Sequence, residues 1–214
     1  MLPLTRPLSI ALLLGAALLG AGAAFHPILP AEPENQLRLI AATWYFRPVH
    51  LAMLTGSGLL VAGVWTRALM GRPAEASPTP VPLLAALALI CLGLCFNAID
   101  IAFMGGAGTR MAQLFVAGRA EMSAMFDALH MVGLMTARFG NFLVALGALL
   151  IGWVELNDPT SPRWVAWLAW TAGVGGLIGV LFFREASLAI LTAVTLLSGW
   201  EVAVAVRGLR GSNW

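Results

Sequence analysis

Apolar residues occur along this chain in six long runs, separated by short stretches rich in proline, glycine and charged residues. At ~1.5 Å rise per residue, about 20 apolar residues cross the hydrocarbon core of a bilayer, and each run reaches roughly that length. The pattern predicts an all-α, polytopic transmembrane helix bundle that forms a single domain over residues 1–214. The predicted spans are residues 7–29, 49–70, 82–104, 124–153, 164–183 and 186–206.

Two of the connecting segments also have a helical pattern. In residues 34–46 and 109–122, apolar side chains recur every three to four residues, which places them on one face of a short helix. Trp44 and Tyr45 are residue types that are enriched at the water–lipid interface. We therefore expect two short amphipathic helices lying on the outer membrane surface, where they cap the bundle.

The composition supports a membrane protein and argues against other classes. The chain is 60% hydrophobic and 10% charged, whereas soluble domains carry about 25% charged residues. A net charge of +2, with scattered basic residues, does not favour nucleic-acid binding. No P-loop, dinucleotide-binding, nucleophile-elbow or zinc-finger motif occurs. We therefore expect the lipid bilayer and other membrane subunits as partners, and no enzyme activity by this chain alone.

The positions of the arginines favour one orientation. All 12 basic residues are arginine. One side of the bundle carries slightly more of them, in shorter loops, which predicts cytoplasmic N- and C-termini. Arg6, the apolar run after it and Ala21-Gly22-Ala23 resemble a secretory signal with its cleavage site. We interpret this segment as an uncleaved first span.

The fourth span carries a polar stripe. At about 100° per residue, Asp127, His130, Arg138 and Asn141 fall within roughly a quarter of the helix circumference. Such a stripe must face the bundle interior or a hydrated cavity, because a charge facing lipid is costly. Glu201, in the last span, is the expected ion-pair partner of Arg138. The pair is either a structural contact or part of a transport or proton path.

The three histidines are expected at the same end of the bundle. His26 ends the first span, His50 begins the second and His130 lies near the start of the fourth, while Asp100 ends the third. These residues could bind a copper, zinc or iron ion, and His50 with His130 could ligate haem b. Asp127 is expected to hydrogen-bond His130 and orient its ring. The alternative is that the histidines are structural.

Several residues give the chain a family resemblance. His26-Pro27 follows the first span, Trp44 precedes His50, and Asp100 ends the third span. In these features the chain resembles a broad group of uncharacterised bacterial six-helix membrane proteins. The resemblance implies the topology and a location in the bacterial inner membrane, but no activity, and it does not include His130.

Three functions are compatible with the sequence. The first is a membrane subunit of a redox or metal-handling assembly, with a site of His, Asp and Met residues near the outer face. The second is a structural or accessory membrane protein that packs against a partner without chemistry. The third is a transporter of a small solute or of protons, which the lack of inverted repeats makes weaker.

Overall fold

The computed structural model describes residues 4–70, 81–159, 161–182 and 188–210. In these ranges the regular structure is helical, and six helices are long and apolar enough to cross a membrane. The predicted all-α bundle with six spans is therefore confirmed. The helices are α1 (Thr5–Phe25), α2 (Pro33–Ala42), α3 (Phe46–Gly63), α4 (Thr66–Leu69), α5 (Val81–Phe103), α6 (Thr109–Val116), α7 (Met122–Leu156), α8 (Arg163–Phe182) and α9 (Leu188–Arg210).

The long helices form a closed ring in chain order. Helices α1, α3, α5, α7, α8 and α9 each contact the next, and α9 contacts α1. Short connections favour this arrangement because consecutive helices then run antiparallel side by side. Their inward-facing side chains form a core cluster that includes Leu12, Leu60, Ile90, Ile151 and Trp200. Arg184 and Glu185 separate the last two apolar runs, which predicts a tight turn there, but these residues lie outside the described ranges.

Close packing of α5 against α7 depends on glycine. A Cβ atom added to Gly140 would lie 2.6 Å from the carbonyl oxygen of Gly93, and one added to Gly93 would lie 2.5 Å from the carbonyl oxygen of Gly140. Two turns from Gly140, Gly133 contacts the carboxylate of Asp100 in the same way. Small residues allow such close approach between membrane helices. The glycine face of α7 is therefore the surface on which α5 packs.

The two amphipathic helices cover one end of the bundle. This end carries His26, His50 and His130, and we call it the histidine end. Helices α2 and α6 pack against each other there, and α2 also contacts α7. Their apolar faces join a second hydrophobic cluster, as the sequence predicts. Its buried members are Leu37, Ile40, Phe46, Met104, Met111, Ala112, Phe115, Met122 and Phe126.

The segment Gly-Gly-Ala-Gly, which its sequence suggests is a flexible turn, is instead helical. Met104–Gly108 forms a π-helical turn that joins α5 to α6, so that one apolar helical segment extends over Val81–Val116. Glycine accounts for the close approach of this turn to α3, because a Cβ atom on Gly105 would lie 2.8 Å from the Cβ of His50. Single π-helical turns of this kind are frequent at functional sites.

Candidate functional site

Two of the three histidines are in contact at the histidine end. His26 follows the last residue of α1, and His50 lies in the first turns of α3. Their ring centroids are 4.9 Å apart in an edge-to-face arrangement, and both rings also pack on Phe46. The two helices come together here because α1 and α3 pack along much of their length. The structure thus places two imidazoles, predicted from the sequence as ligands, side by side.

The ring of His50 is held by a backbone hydrogen bond. Its Nδ1 atom lies 2.8 Å from the carbonyl oxygen of Phe46, one helical turn earlier, and His50 is buried. A carbonyl oxygen only accepts hydrogen bonds, so Nδ1 carries the proton and Nε2 carries the lone pair. This is the usual arrangement of a metal-binding histidine, in which a carbonyl or carboxylate orients the ring through the nitrogen that does not bind the metal.

His26 is also suited to the neutral state. Burial lowers the pKa of His26, and a backbone hydrogen bond at Pro27 offsets this effect only in part. A neutral imidazole is the form that binds metal ions, whereas the protonated ring has no lone pair to donate. Both members of the histidine pair are therefore prepared for ligand binding at neutral pH by their local surroundings.

The third histidine lies in a separate group with Asp100. His130 is buried, and its ring packs on Phe126 at 5.0 Å and on Phe103 at 6.5 Å between centroids. Asp100 contacts Gly133, three residues after His130, which places its carboxylate on the same side of α7. Asp127, which the sequence predicts as the partner of His130, is exposed and has no hydrogen bond to a residue that the structure describes.

The four predicted ligands thus fall into two groups, and each is incomplete by itself. In the described part of the chain, no three His, Cys, Asp or Glu side chains lie close enough together to hold a metal ion. Phe46 packs on His50 and Phe126 packs on His130, and both belong to the hydrophobic cluster under the cap. A site at the histidine pair therefore requires a ligand of another type.

The structure does not bring Arg138 and Glu201 together. The Nε and Nη2 atoms of Arg138 donate to the carbonyl oxygen of Val180, at 2.9 and 2.6 Å. Val180 is near the C-terminal end of α8, where carbonyl groups lack partners within the helix and attract cations. Glu201 is buried in α9, where the residue is 4% exposed. A different polar contact, from Asn97 Nδ2 to Asn141 Oδ1 at 3.0 Å, joins the stripe on α7 to α5.

The buried ion pair lies at the opposite end of the bundle, which we call the arginine end. Arg67 donates from Nε and Nη2 to the two carboxylate oxygens of Glu155, and from Nη2 to Asp158 at 2.8 Å. The side chains of Arg67, Glu155 and Asp158 are 8%, 1% and 27% exposed, and we call these three residues the Arg67 cluster. Arg207 is buried beside this cluster and interacts electrostatically with all three members.

This cluster is not evident from the sequence, because Arg67 and Arg207 lie near the ends of apolar runs, where arginine usually marks the membrane surface. The signal that was available is the spacing of Glu155 and Asp158. Glu155 lies in the last turn of α7 and Asp158 lies just beyond its end, so both carboxylates are at the same end of the bundle as Arg67.

The fold and the apolar surface define this chain as an integral membrane protein with six spanning helices. Comparison with protein-family models, with curated proteins and with solved structures finds no match for the chain. This agrees with the resemblance to a group of membrane proteins that has no assigned activity.

Proposed function

We propose that this protein handles a transition-metal ion at the histidine end, as a membrane subunit of a redox or metal-handling assembly. The observation that carries the proposal is the contact between His26 and His50, with the His50 ring fixed so that its Nε2 lone pair is available. One buried and one half-buried imidazole meet at this point, and two neutral imidazoles are the core of many copper and zinc sites. Phe46, which packs on both rings, belongs to the hydrophobic cluster under the cap of α2 and α6.

Methionine supplies a candidate for the missing ligand. Met53 lies three residues after His50 on α3, and its side chain packs on Gly22, four residues before His26 on α1. It therefore occupies the seam between the two helices, one turn deeper than the histidine pair. A thioether is a soft ligand, and with imidazoles it favours Cu(I) over Zn²⁺. We therefore propose copper as the metal, with His26, His50 and Met53 as its protein ligands.

Haem b between His50 and His130 is the weaker alternative. Phe46 and Phe126, which pack on the two histidines, share one cluster with Met104 and are fully or almost fully buried. A haem ring would have to displace these side chains, whereas an ion at the histidine pair leaves them in place. In this proposal His130 and Asp100 support the site from the neighbouring helices without binding the metal directly.

Anaerobic titration with Cu(I) tests the proposal. Purified protein in detergent would compete for Cu(I) with bicinchoninate, whose copper complex is coloured. We expect one Cu(I) per chain, and the removal of either ligand, by His26→Ala or His50→Ala, should weaken binding by at least about tenfold. His130→Ala is the matched control and should bind like the wild type. Failure of the wild type to compete, or equal binding by His50→Ala, contradicts the proposal.

An accessory role without chemistry is the second candidate, and the exposed apolar residues around the cap favour it. Trp44 is 86% exposed and Ile28 is 90% exposed, both beside the histidine end. Such residues contact either the interfacial region of the bilayer or a partner subunit. This role stands if the wild-type protein binds no metal while Trp44→Ala reduces its recovery in a membrane complex.

A further inference from the structure

Glu201 is a buried acid that the proposed metal site does not use. It lies in the middle of α9, and the residue is 4% exposed. The side chains around it on the same helix, Trp200, Val204 and Ala205, are also buried in the core cluster. Its surroundings are therefore apolar, within a helix that is itself one of the six apolar spans.

No countercharge lies against Glu201 in the part of the chain that the structure describes. Helices α1, α4 and α8 pack on α9. Arg6 of α1 and Arg163 of α8 are exposed. The guanidinium of Arg67 on α4 is paired with the carboxylates of Glu155 and Asp158, and Arg207 of α9 faces the same cluster. Glu201 forms no hydrogen bond or ion pair with these groups.

An isolated carboxylate in such a place is strongly disfavoured. Moving an ionised group from water into an apolar interior costs several kcal/mol even after relaxation, and the group then takes up a proton instead. We propose that Glu201 is a proton-binding site inside the membrane, held as the neutral carboxylic acid in the resting bundle. On release, its O–H bond breaks, the proton passes to a water molecule, and the carboxylate keeps the electron pair.

A path for that proton leads to the arginine end. Gly208 lies about two helical turns beyond Glu201 on the same face of α9, and it contacts Ser9 of α1 and Thr66 of α4. The hydroxyl oxygens of Thr5 and Thr66 are buried there, without a hydrogen-bond partner among the described residues. Buried hydroxyl groups in this state are positions where internal water molecules bind. The contact region of α1, α4 and α9 therefore holds buried hydroxyl groups between Glu201 and the aqueous side of the membrane.

Infrared spectroscopy of the protein in lipid vesicles at neutral pH tests this inference. A neutral carboxylic acid has a C=O stretching band apart from those of carboxylates and amides. We expect this band in the wild type and its loss in Glu201→Gln. Glu155→Gln is the control and should keep the band, because Glu155 is an ion-paired carboxylate that does not contribute to it. In deuterated buffer this band shifts as the acid exchanges its proton for deuterium. Thr66→Val should slow that shift, because it removes one of the buried hydroxyl groups. Identical wild-type and Glu201→Gln spectra in this region overturn the proposal.

Thermal unfolding provides a second readout. Glutamine is an uncharged isostere of the neutral acid, so Glu201→Gln should fold and melt within about 3 °C of the wild type. A large loss of stability, or failure to fold, would show that Glu201 is ionised and paired, and would overturn the proposal. Copper binding at the histidine end is independent of this result.

Discussion

Removing the carboxylate of Glu155 should strongly destabilise the bundle, because Glu155 is the fully buried acidic partner of Arg67. Glu155→Gln leaves the guanidinium of Arg67 buried with only Asp158 as an acidic partner. The side chains of Arg67 and Glu155 are 8% and 1% exposed, so water cannot replace the lost carboxylate. Breaking such a pair costs about 3–5 kcal/mol in soluble proteins.

The same geometry predicts graded effects in related variants. Asp158 is 27% exposed and accepts from one guanidinium nitrogen, so Asp158→Asn should cost only about 1 kcal/mol. The double change Arg67→Met with Glu155→Met removes both buried charges, and it should cost less than Glu155→Gln alone. Arg119 and Glu121 form an exposed pair, with side chains 61% and 55% exposed, so Arg119→Ala is the control and should have no measurable effect.

Equilibrium unfolding of the purified protein by SDS, followed by circular dichroism, gives the free energies for this series. Thermal melting gives a second scale, on which Glu155→Gln should lower the midpoint by roughly 10 °C. In a double-mutant cycle the Arg67 and Glu155 changes should couple strongly. The reasoning fails if Glu155→Gln is as stable as the Arg119→Ala control, or if the two losses simply add.

Three further predictions follow from the packing and the topology. Gly133→Ala places a methyl group in the space that the Asp100 carboxylate occupies, and overpacking of this kind should cost about 1–3 kcal/mol. Gly20→Ala is the control, because its methyl group meets no neighbour and should cost nothing in the same unfolding assay. Burial lowers the pKa of His26, so below about pH 6.5 the unfolded chain binds a proton more readily than the folded chain. The free energy of unfolding measured in SDS should therefore fall as the pH drops. His26→Asn should make this dependence on pH weaker. Reporter fusions in the α6–α7 and α7–α8 connections should read opposite sides of the membrane, the first external and the second cytoplasmic; the reverse pattern would overturn the sidedness but keep the six spans.

The elements of this fold could be predicted from the sequence because their signals are local. Each span is one continuous apolar run, and the two cap helices show a period of three to four apolar residues. The contact of His26 with His50 follows almost as directly, since the end of one helix and the start of the next antiparallel helix lie at the same membrane surface. Topology alone therefore placed these two side chains near each other.

The partners of the charged residues could not be predicted because they depend on depth and on distant contacts. Arg67 and Glu155 are 88 positions apart, and an arginine near the end of a span usually extends to the membrane surface. Arg138 donates to a backbone carbonyl of α8, an acceptor that every residue carries and that no side-chain pattern reveals. Residue types suggested which groups need partners, but helix packing decided which partners they have.

X-ray absorption at the copper K-edge tests the central claim most directly. Protein loaded with one equivalent of Cu(I) should show imidazole nitrogen and a sulfur atom in the first coordination shell. Met53→Leu should remove the sulfur contribution. His50→Ala should reduce the imidazole scattering, because His26 alone remains, and His130→Ala should give the wild-type spectrum. A first shell of oxygen alone, or a spectrum that none of the His26, His50 and Met53 changes alters, would contradict the copper site at the histidine pair.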